Sequence, residues 1–267
     1  MTRRVITLTT DFGLKDAFVG IMKGVILKIN PEAEIVDLTH EIGPQDVKQA
    51  AFILCNAYHY FPHQTIHIVV VDPGVGSKRR PILAKNKDYF FIAPDNGVLG
   101  LIYQKKKTSV YHITNTKYFL PNVSQTFQGR DIFAPVAAYL SLDIPPEQMG
   151  IEITDYERGK WPFPKIKDHV LLGEIIYIDH FGNLITNIHK DVFKKFVKDS
   201  KFLITIKDID LKDISPYYLA VPYGEILAIW GSSEYLEICQ SMGSAKMALN
   251  VKVGETIRIK LSEKLND

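Results

Sequence analysis

Cysteine is scarce in this chain, and its scarcity narrows the class of protein. Cys55 and Cys239 are the two cysteines among 267 residues, and both lie in apolar sequence far from each other. Small secreted domains depend on closely spaced disulfides, whereas isolated thiols are typical of reducing compartments. The sequence therefore excludes a disulfide framework and favours a cytoplasmic protein.

Long apolar runs are also missing. Even the longest apolar runs are short, such as residues 68–71. A membrane span needs about 20 apolar residues. The basic start of the chain is followed by an apolar stretch that ends at Thr9, which is too short for a signal peptide. We therefore expect no membrane partner.

The chain carries little excess charge of either sign. It has 32 Lys and Arg against 30 Asp and Glu, a net charge of +2, which argues against a nucleic-acid partner bound through phosphates. Hydrophobic residues make up 46% and charged residues 23%, enough apolar surface for a folded globular protein. The eight histidines and two cysteines show no spacing typical of a metal site, so we expect no metal.

Strand and helix patterns alternate in the first half of the chain. Apolar residues from Phe18 to Ile29 recur at i, i+3 and i+4, which predicts one face of a helix. The predicted strands are residues 5–10, 34–39, 65–71, 81–84 and 89–93. The first predicted helix begins at residue 16, and three further helices are predicted at residues 46–60, 98–103 and 132–140. This order predicts an α/β domain with a mainly parallel sheet.

A change in composition near residues 153–169 marks a seam in the chain. Charged residues, glycine and proline cluster there. We place an α/β domain at residues 1–155, a linker at 156–168 and a second domain at 169–267. The predicted strands after the linker are residues 173–178, 184–188, 202–206, 225–230, 235–238 and 256–259, with one helix at 192–197. Short strands in this density predict a small β-rich domain, a barrel or a sandwich.

Polar motifs follow four of the predicted strands. They are residues 9–13, 39–41, 72–80 and 93–97. Ligands bind outside the carboxyl ends of parallel strands, so we expect these motifs to share a pocket. Each motif also has a structural interpretation: Asp11 as a helix cap, His40 as a hydrogen-bonded core residue, and the glycines between Asp72 and Arg79 as a tight turn. The two charges that flank this turn can fold back as a structural or a catalytic pair.

Two polar segments interrupt the strands of the β-rich half. They are residues 179–183 and 231–234. Asn, Asp, Ser and Gly dominate turns, so ordinary turn chemistry is one explanation of both segments.

Taken in order, these motifs resemble one family. The motifs are Thr9-Thr10-Asp11-Phe12-Gly13, Asp37-Leu38-Thr39-His40, Val71-Asp72-Pro73-Gly74-Val75-Gly76 with Arg79, Pro94-Asp95-Asn96-Gly97, residues 126–135 around Gly129-Arg130-Asp131, Asp179-His180-Phe181-Gly182-Asn183 with Thr186-Asn187-Ile188, and Gly231-Ser232 with Leu236-Glu237-Ile238. The chain resembles the S-adenosylmethionine (SAM) hydrolases, also called SAM hydroxide adenosyltransferases, which are related to SAM-dependent fluorinases and chlorinases.

The resemblance implies a fold and a reaction. The implied fold is an α/β N-terminal domain with a small C-terminal β-barrel domain, assembled as a homotrimer with active sites between subunits. The implied reaction is attack of water or hydroxide on C5′ of SAM, which releases adenosine and L-methionine. SAM is then the substrate, and no cofactor is expected.

The resemblance also implies roles for individual residues. Those implied by motif are Asp72 and Arg79 as the water-activating pair, Asp11 on the ribose hydroxyls, Phe181 and Asn183 on adenine, and Asp179, Ser232 and, more weakly, Glu237 on the methionine end.

Gln128 departs from the family pattern. The hydrolases that the chain resembles carry His at this position, which completes an Asp–Arg–His set. A glutamine side chain can hydrogen-bond a water molecule but cannot take its proton near neutral pH. We therefore count Gln128 among the catalytic candidates and leave the path of the proton open.

Three other functions remain as alternatives. A SAM-dependent halogenase is disfavoured, because Asp72 beside a halide at ~4 Å implies repulsion on the order of 4 kcal/mol at an effective dielectric of about 20. A SAM- or adenosine-binding protein without turnover is made more plausible by Gln128. A structural or interaction module would bind no SAM, and the ordered polar motifs argue against it.

Overall fold

A seven-stranded sheet organises the first half of the chain. The computed structural model describes residues 4–261. The strands of this sheet are β1 (Val5–Thr10), β2 (Glu34–Thr39), β3 (Ile66–Val70), β4 (Pro81–Lys85), β5 (Phe90–Pro94), β6 (Ser109–Ile113) and β7 (Gly150–Ile153). Their spatial order is β2-β1-β3-β5-β4-β6-β7. Two predicted strands, residues 5–10 and 34–39, are observed with the same bounds.

The sheet is mixed, so the prediction of a mainly parallel sheet is not confirmed. Strand β1 is parallel to β2 and β3, and β3 is parallel to β5, but β4 is antiparallel to β5 and β6, and β6 to β7. Residues 86–89 connect β4 to β5, and so short a connection cannot make the crossover that parallel strands need. Asn86 closes this turn by accepting from the N–H groups of Asp88 and Tyr89.

Helices cover both faces of this sheet. They are α1 (Phe18–Ile29), α2 (Val47–Ala57), α3 (Gly100–Lys105), α4 (Ala134–Ser141) and the short α5 (Pro146–Met149). Helices α1 and α4 enclose one buried core, in which Met22 and Ala137 pack with Ile68 of β3. On the opposite face, His67 of β3 lies against the rings of Phe91 and Tyr58, because successive side chains of a strand point to opposite faces.

A nine-stranded sheet forms the second half of the chain. Its strands are β8 (Lys165–Lys167), β9 (Val170–Ile178), β10 (Leu184–His189), β11 (Phe202–Ile206), β12 (Ile209–Leu211), β13 (Ile214–Ser215), β14 (Ile226–Trp230), β15 (Tyr235–Gln240) and β16 (Thr256–Leu261), and its helices are α6 (Lys190–Val197) and α7 (Ala245–Leu249). The order β12-β11-β16-β9-β10-β15-β14-β13, with β8 beside β9, makes a nearly closed, barrel-like sheet. Its interior is apolar, with Leu171, Ile204 and Leu236 fully buried.

The chain divides into two compact units, Met1–Lys160 and Trp161–Asp267. None of the helices within residues 4–261 has both the length and the apolar character needed to cross a membrane.

Candidate active site

A cavity of about 320 Å³ opens at the carboxyl ends of β1 and β3. Asp11 follows β1 directly, Asp72 comes two residues after β3, and these strands are parallel neighbours. Both carboxylates therefore lie at the same edge of the sheet, as the motif pattern predicts. The residues that line the cavity are Asp11, Phe12, Phe18, Gln45, Val70, Asp72, Pro73, Val75, Thr126, Phe127, Gln128 and Gly129.

Asp72 and Arg79 form a buried, two-pronged ion pair at this cavity. Arg79 Nε donates to Asp72 Oδ1 over 3.1 Å, and Arg79 Nη2 donates to Asp72 Oδ2. The two side chains are 5% and 6% exposed. The same Nη2 also donates to Oε1 of Gln128 over 2.6 Å. The structure thus brings the three predicted catalytic residues into one hydrogen-bonded chain.

Burial dominates the electrostatics of this pair. It raises the pKa of the Asp72 carboxyl above its ordinary value, and the Arg79 guanidinium acts in the opposite direction. The negative charge of Asp11 adds to the increase in the pKa of Asp72. Asp72 is therefore a stronger proton acceptor than a carboxylate in water, which suits a group that receives a proton from a water molecule.

Glycine makes the turn between Asp72 and Arg79 possible. Gly76 has φ +75°, and a Cβ at this residue would lie 2.3 Å from the carbonyl oxygen of Gln125. The N–H of Val75 donates to Asp72 O, and Ser77 Oγ donates to Gly74 O, which tightens the turn. This tight turn brings the two charges together across six intervening residues.

A π-helical turn follows Gln128 immediately. It spans Gly129–Phe133 and leads into α4. A Cβ at Gly129 would lie 3.2 Å from Met22 Sδ and 3.5 Å from Val70, so glycine lets this turn approach the core closely. Such turns are frequent at functional sites. Asp131, in this turn, is buried, pairs with Arg130 and accepts from the N–H of Ser124.

Asp11 is fixed by the main chain of the loop after β2. Its Oδ2 accepts from the N–H of Gln45 over 2.8 Å. The preceding Thr10 shares a hydrogen bond with His40 Nδ1, and His40 Nε2 lies 3.0 Å from Asp37 Oδ1. His40 is thus a buried structural residue that holds the loop, in line with the structural interpretation of its motif.

Three phenylalanine rings form an apolar wall of the cavity. Phe12, Phe18 and Phe127 pack edge to face or tilted, with ring centroids 5.2 to 5.9 Å apart. The Arg130 guanidinium lies 5.2 Å from the centroid of Phe127 and supports this ring.

The motif after β5 is structural. Asp95 accepts from Arg80 Nε and Nη2 and from the N–H of Glu157. Asn96 donates to the carbonyl oxygen of Val71 over 2.9 Å. These residues hold the main chain next to Asp72 but do not line the cavity.

The candidates of the second unit fall into a turn and a carboxylate cluster. Both oxygens of Asp179 accept from Asn183, one from its N–H and one from its side-chain amide, each over 2.8 Å. Phe181, at the tip of this turn, is 73% exposed. Ser232 is exposed on the loop after β14.

Glu237 is the perturbed carboxylate of this cluster. Burial, with a further contribution from the charge of Asp179, raises the pKa of Glu237 to about 7. Its carboxylate packs so closely on Gly231 that a Cβ there would lie 1.7 Å from Oε1. Together with Asp179 it forms an acidic surface that suits a positively charged group.

Comparison with known proteins assigns the family. The family description "SAM hydroxide adenosyltransferase N-terminal domain" matches residues 6–150, and "SAM hydroxide adenosyltransferase C-terminal domain" matches residues 173–258. The chain belongs to the SAM hydroxide adenosyltransferase family.

Relatives with a named activity are similar to this chain over nearly its whole length. The (R)-S-adenosyl-L-methionine hydrolase of Thermus thermophilus is 32% identical over 96% of this chain and 99% of its own length. That of Methanocaldococcus jannaschii is 34% identical over 96% and 95%. A fluorinase of an Actinoplanes species is more distant, at 26% identity over 96% and 97%.

Solved structures show the same fold. An uncharacterised conserved protein from Thermotoga maritima superposes with a TM-score of 0.89 at 40% identity, covering 96% of this chain and 99% of its own. A conserved hypothetical protein from Thermus thermophilus gives 0.78 at 30% identity, with the same coverage.

The cavity contains residues that the motifs did not single out. These residues include Gln45 and Phe18. The sequence places Phe18 on an amphipathic helix but does not indicate that it faces a cavity. The sequence does not indicate Gln45 either, because its role depends on its main-chain conformation. Among residues 4–261, no group of three histidine, cysteine or acidic side chains is placed to hold a metal ion.

Proposed function

We propose that this protein hydrolyses S-adenosyl-L-methionine to adenosine and L-methionine by attack of water or hydroxide on C5′. The observation that carries the proposal is the buried Asp72–Arg79 pair, joined to Gln128 at the wall of a cavity. Membership of the SAM hydroxide adenosyltransferase family and relatives named as SAM hydrolases support it.

Gln128 has a defined orientation in this mechanism. A guanidinium can only donate, so the amide oxygen of Gln128 faces Arg79 and its NH₂ group remains a donor toward the cavity. A water that accepts from Gln128 and donates to Asp72 keeps one lone pair free to attack C5′. Asp72 is then the group that receives the proton, because neither Gln128 nor Arg79 has a basic lone pair near neutral pH.

Departure of the leaving group requires no general acid. As the new C–O bond forms at C5′, the C–S bond breaks and the sulfonium departs as the neutral thioether of methionine. The site needs only to hold SAM for in-line attack and to shield the water from bulk solvent. The reaction consumes SAM as a substrate and requires no cofactor.

Substrate binding uses the remaining candidates. We assign the ribose hydroxyls to Asp11, adenine to Phe181 and Asn183, and the methionine end to Asp179 and Ser232, with Glu237 beside them. The acidic surface formed by Asp179 and Glu237 matches the ammonium group of methionine.

We further propose that the protein is a homotrimer whose active sites lie between copies. Large apolar side chains are exposed near the cavity, at Leu14 and Phe18, and in the second unit, at Phe181, Tyr217 and Tyr223. Burial between copies would remove these apolar side chains from water, which supports an interface that includes them. Sedimentation equilibrium tests the proposal, with three times the chain mass as the expected result.

Organisation and location complete the proposal. We retain domains at 1–155 and 169–267 joined by residues 156–168; the boundary of the two compact units falls within this segment, whose last residues include strand β8 of the second sheet. The buried free thiols of Cys55 and Cys239 suit a cytoplasmic protein, and the near-neutral net charge suits one with no nucleic-acid partner.

Incubation of the purified protein with SAM tests the reaction. Products are followed by chromatography with and without chloride. Adenosine and methionine, formed independently of chloride and lost in Asp72→Ala, are the expected result. Chloride-dependent chloroadenosine would indicate a halogenase, and SAM binding by calorimetry without product would indicate a binding protein.

A further inference from the structure

Gln45 is held in a main-chain conformation that residues with a side chain rarely adopt. Its φ is +64°, in the left-handed region. Its N–H donates to Oδ2 of Asp11 over 2.8 Å, and the residue lines the cavity. This conformation costs free energy at any residue with a Cβ, so it persists where the surroundings impose it, and it is common at ligand sites.

Hydrogen bonds on both sides of Gln45 impose this conformation. Gln49, in the first turn of α2, accepts from Gly43 N–H over 2.6 Å through Oε1, and its own N–H donates to Asp46 Oδ1 over 2.9 Å. The loop is also tied to the end of β1, because Gly13 N–H donates to His40 O over 2.8 Å. Gln45 lies between these fixed points and cannot relax without breaking them.

We infer that Gln45 is a positioning residue for the ribose of the substrate. Its strained main chain aims the N–H at one oxygen of Asp11, which fixes the rotation of the carboxylate. The other oxygen, Oδ1, makes no hydrogen bond with residues 4–261 and is directed to accept from a ribose hydroxyl. This inference rests on the proposed function, because it takes Asp11 as the ribose ligand.

The physical basis is preorganisation of a charged acceptor. A main-chain N–H bonded to a carboxylate makes a strong, charge-assisted hydrogen bond. A carboxylate already held in the binding orientation loses less freedom when the ribose arrives. Without the N–H of Gln45, Asp11 can rotate, and the ribose hydroxyl loses its partner.

Gln45→Val tests the inference. A β-branched side chain is strained at positive φ, so the main chain shifts and the N–H turns away from Asp11. Calorimetry gives the Kd of adenosine, 2′-deoxyadenosine and 3′-deoxyadenosine. We expect the wild type to lose about tenfold in affinity when the hydroxyl that faces Asp11 is removed. Gln45→Val should bind adenosine about tenfold more weakly and lose little more on removal of that hydroxyl.

Two further variants separate positioning from general damage. Gln45→Gly keeps the N–H and tolerates positive φ, so it should retain the penalty for the missing hydroxyl. Gln64→Val makes the same substitution at φ +67°, at a residue outside the cavity whose N–H donates to Asp88 O. This matched control should be destabilised in urea to a similar degree but should discriminate the deoxy ligands as the wild type does.

The outcomes separate this inference from the proposed reaction. An equal hydroxyl penalty in the wild type and Gln45→Val, or a wild type with no penalty, would overturn the role of Gln45. Loss of the penalty in Gln64→Val as well would also overturn it. SAM turnover, measured on the same preparations, tests the hydrolase proposal. A wild type without turnover that still shows the coupling would refute hydrolysis and leave the role of Gln45 intact.

Discussion

The buried pair of Asp72 and Arg79 predicts that removal of either charge damages stability as well as turnover. With side chains 5% and 6% exposed, neither charge regains water when its partner is lost. Loss of one member of a buried ion pair costs about 3–5 kcal/mol. We expect Asp72→Asn and Arg79→Met each to lower the free energy of unfolding by about this amount and to abolish SAM hydrolysis.

The double variant gives the coupling between the charges. Arg79 Nε lies 3.1 Å from Asp72 Oδ1. At this distance and an effective dielectric of about 20, the attraction is about 5 kcal/mol. The combined variant should therefore be destabilised by several kcal/mol less than the sum of the single variants. Urea denaturation of the four proteins at pH 7 measures this difference.

The neighbouring pair of Arg80 and Asp95 provides a control. Its arginine is 26% exposed, so water compensates part of the loss in Asp95→Asn. We expect a smaller stability loss there than in Asp72→Asn, together with retained turnover. Additive energies for Asp72 and Arg79, or an Asp72→Asn protein as stable as the wild type, would refute the account of a buried, coupled pair.

Three further predictions follow from other residues. Burial lowers the pKa of His67 to about 3, whereas in the unfolded chain this histidine is protonated below about pH 6.5. Protonation then favours the unfolded chain, so the free energy of unfolding falls by about 1.4 kcal/mol per pH unit below about pH 6.5. The difference between the wild type and His67→Gln in urea should narrow with this slope, and parallel curves would contradict it. Gln128→His should raise SAM turnover, and a series at several pH values without any gain would exclude a base at this position. Since the pKa of Glu237 is about 7, its charge appears above neutral pH, and SAM affinity should rise between pH 6 and 8. Calorimetry should show a flat profile in Glu237→Gln, and an unchanged rise would remove Glu237 from the site.

The strands and helices with strong periodic patterns were predictable from the sequence. Strand β1, strand β2 and helix α1 follow from runs of β-branched residues or from apolar residues at helical spacing. The pairing of the sheet was predicted less well. Strands β4 and β5 were predicted, but the antiparallel pairing that their short connection requires was not. Strands β6 and β7 were not predicted, because they are short and carry weak patterns.

The candidate site was predictable where chemistry lies in a motif. The two glycines between Asp72 and Arg79 predict a tight turn, and this turn brings the two charges of the ion pair together. Gln45 could not be predicted in the same way, because its role depends on a positive φ that three-dimensional contacts impose. Phe18 shows the same limit, since a helix pattern does not distinguish a ring in the core from one at a cavity.

Arg79 and Arg80 are consecutive residues with opposite assignments. Arg79 turns to Asp72 at the cavity, and Arg80 turns to Asp95 and Asp155. Successive side chains of extended backbone point to opposite sides, so their assignment depends on the parity of the residue count between Asp72 and β4. A change of one residue in the spacing of Asp72 and Arg79 would turn the Arg79 guanidinium away from Asp72 and leave the carboxylate without its partner. The ion pair at the cavity therefore depends on the length of this turn as well as on the glycine at position 76.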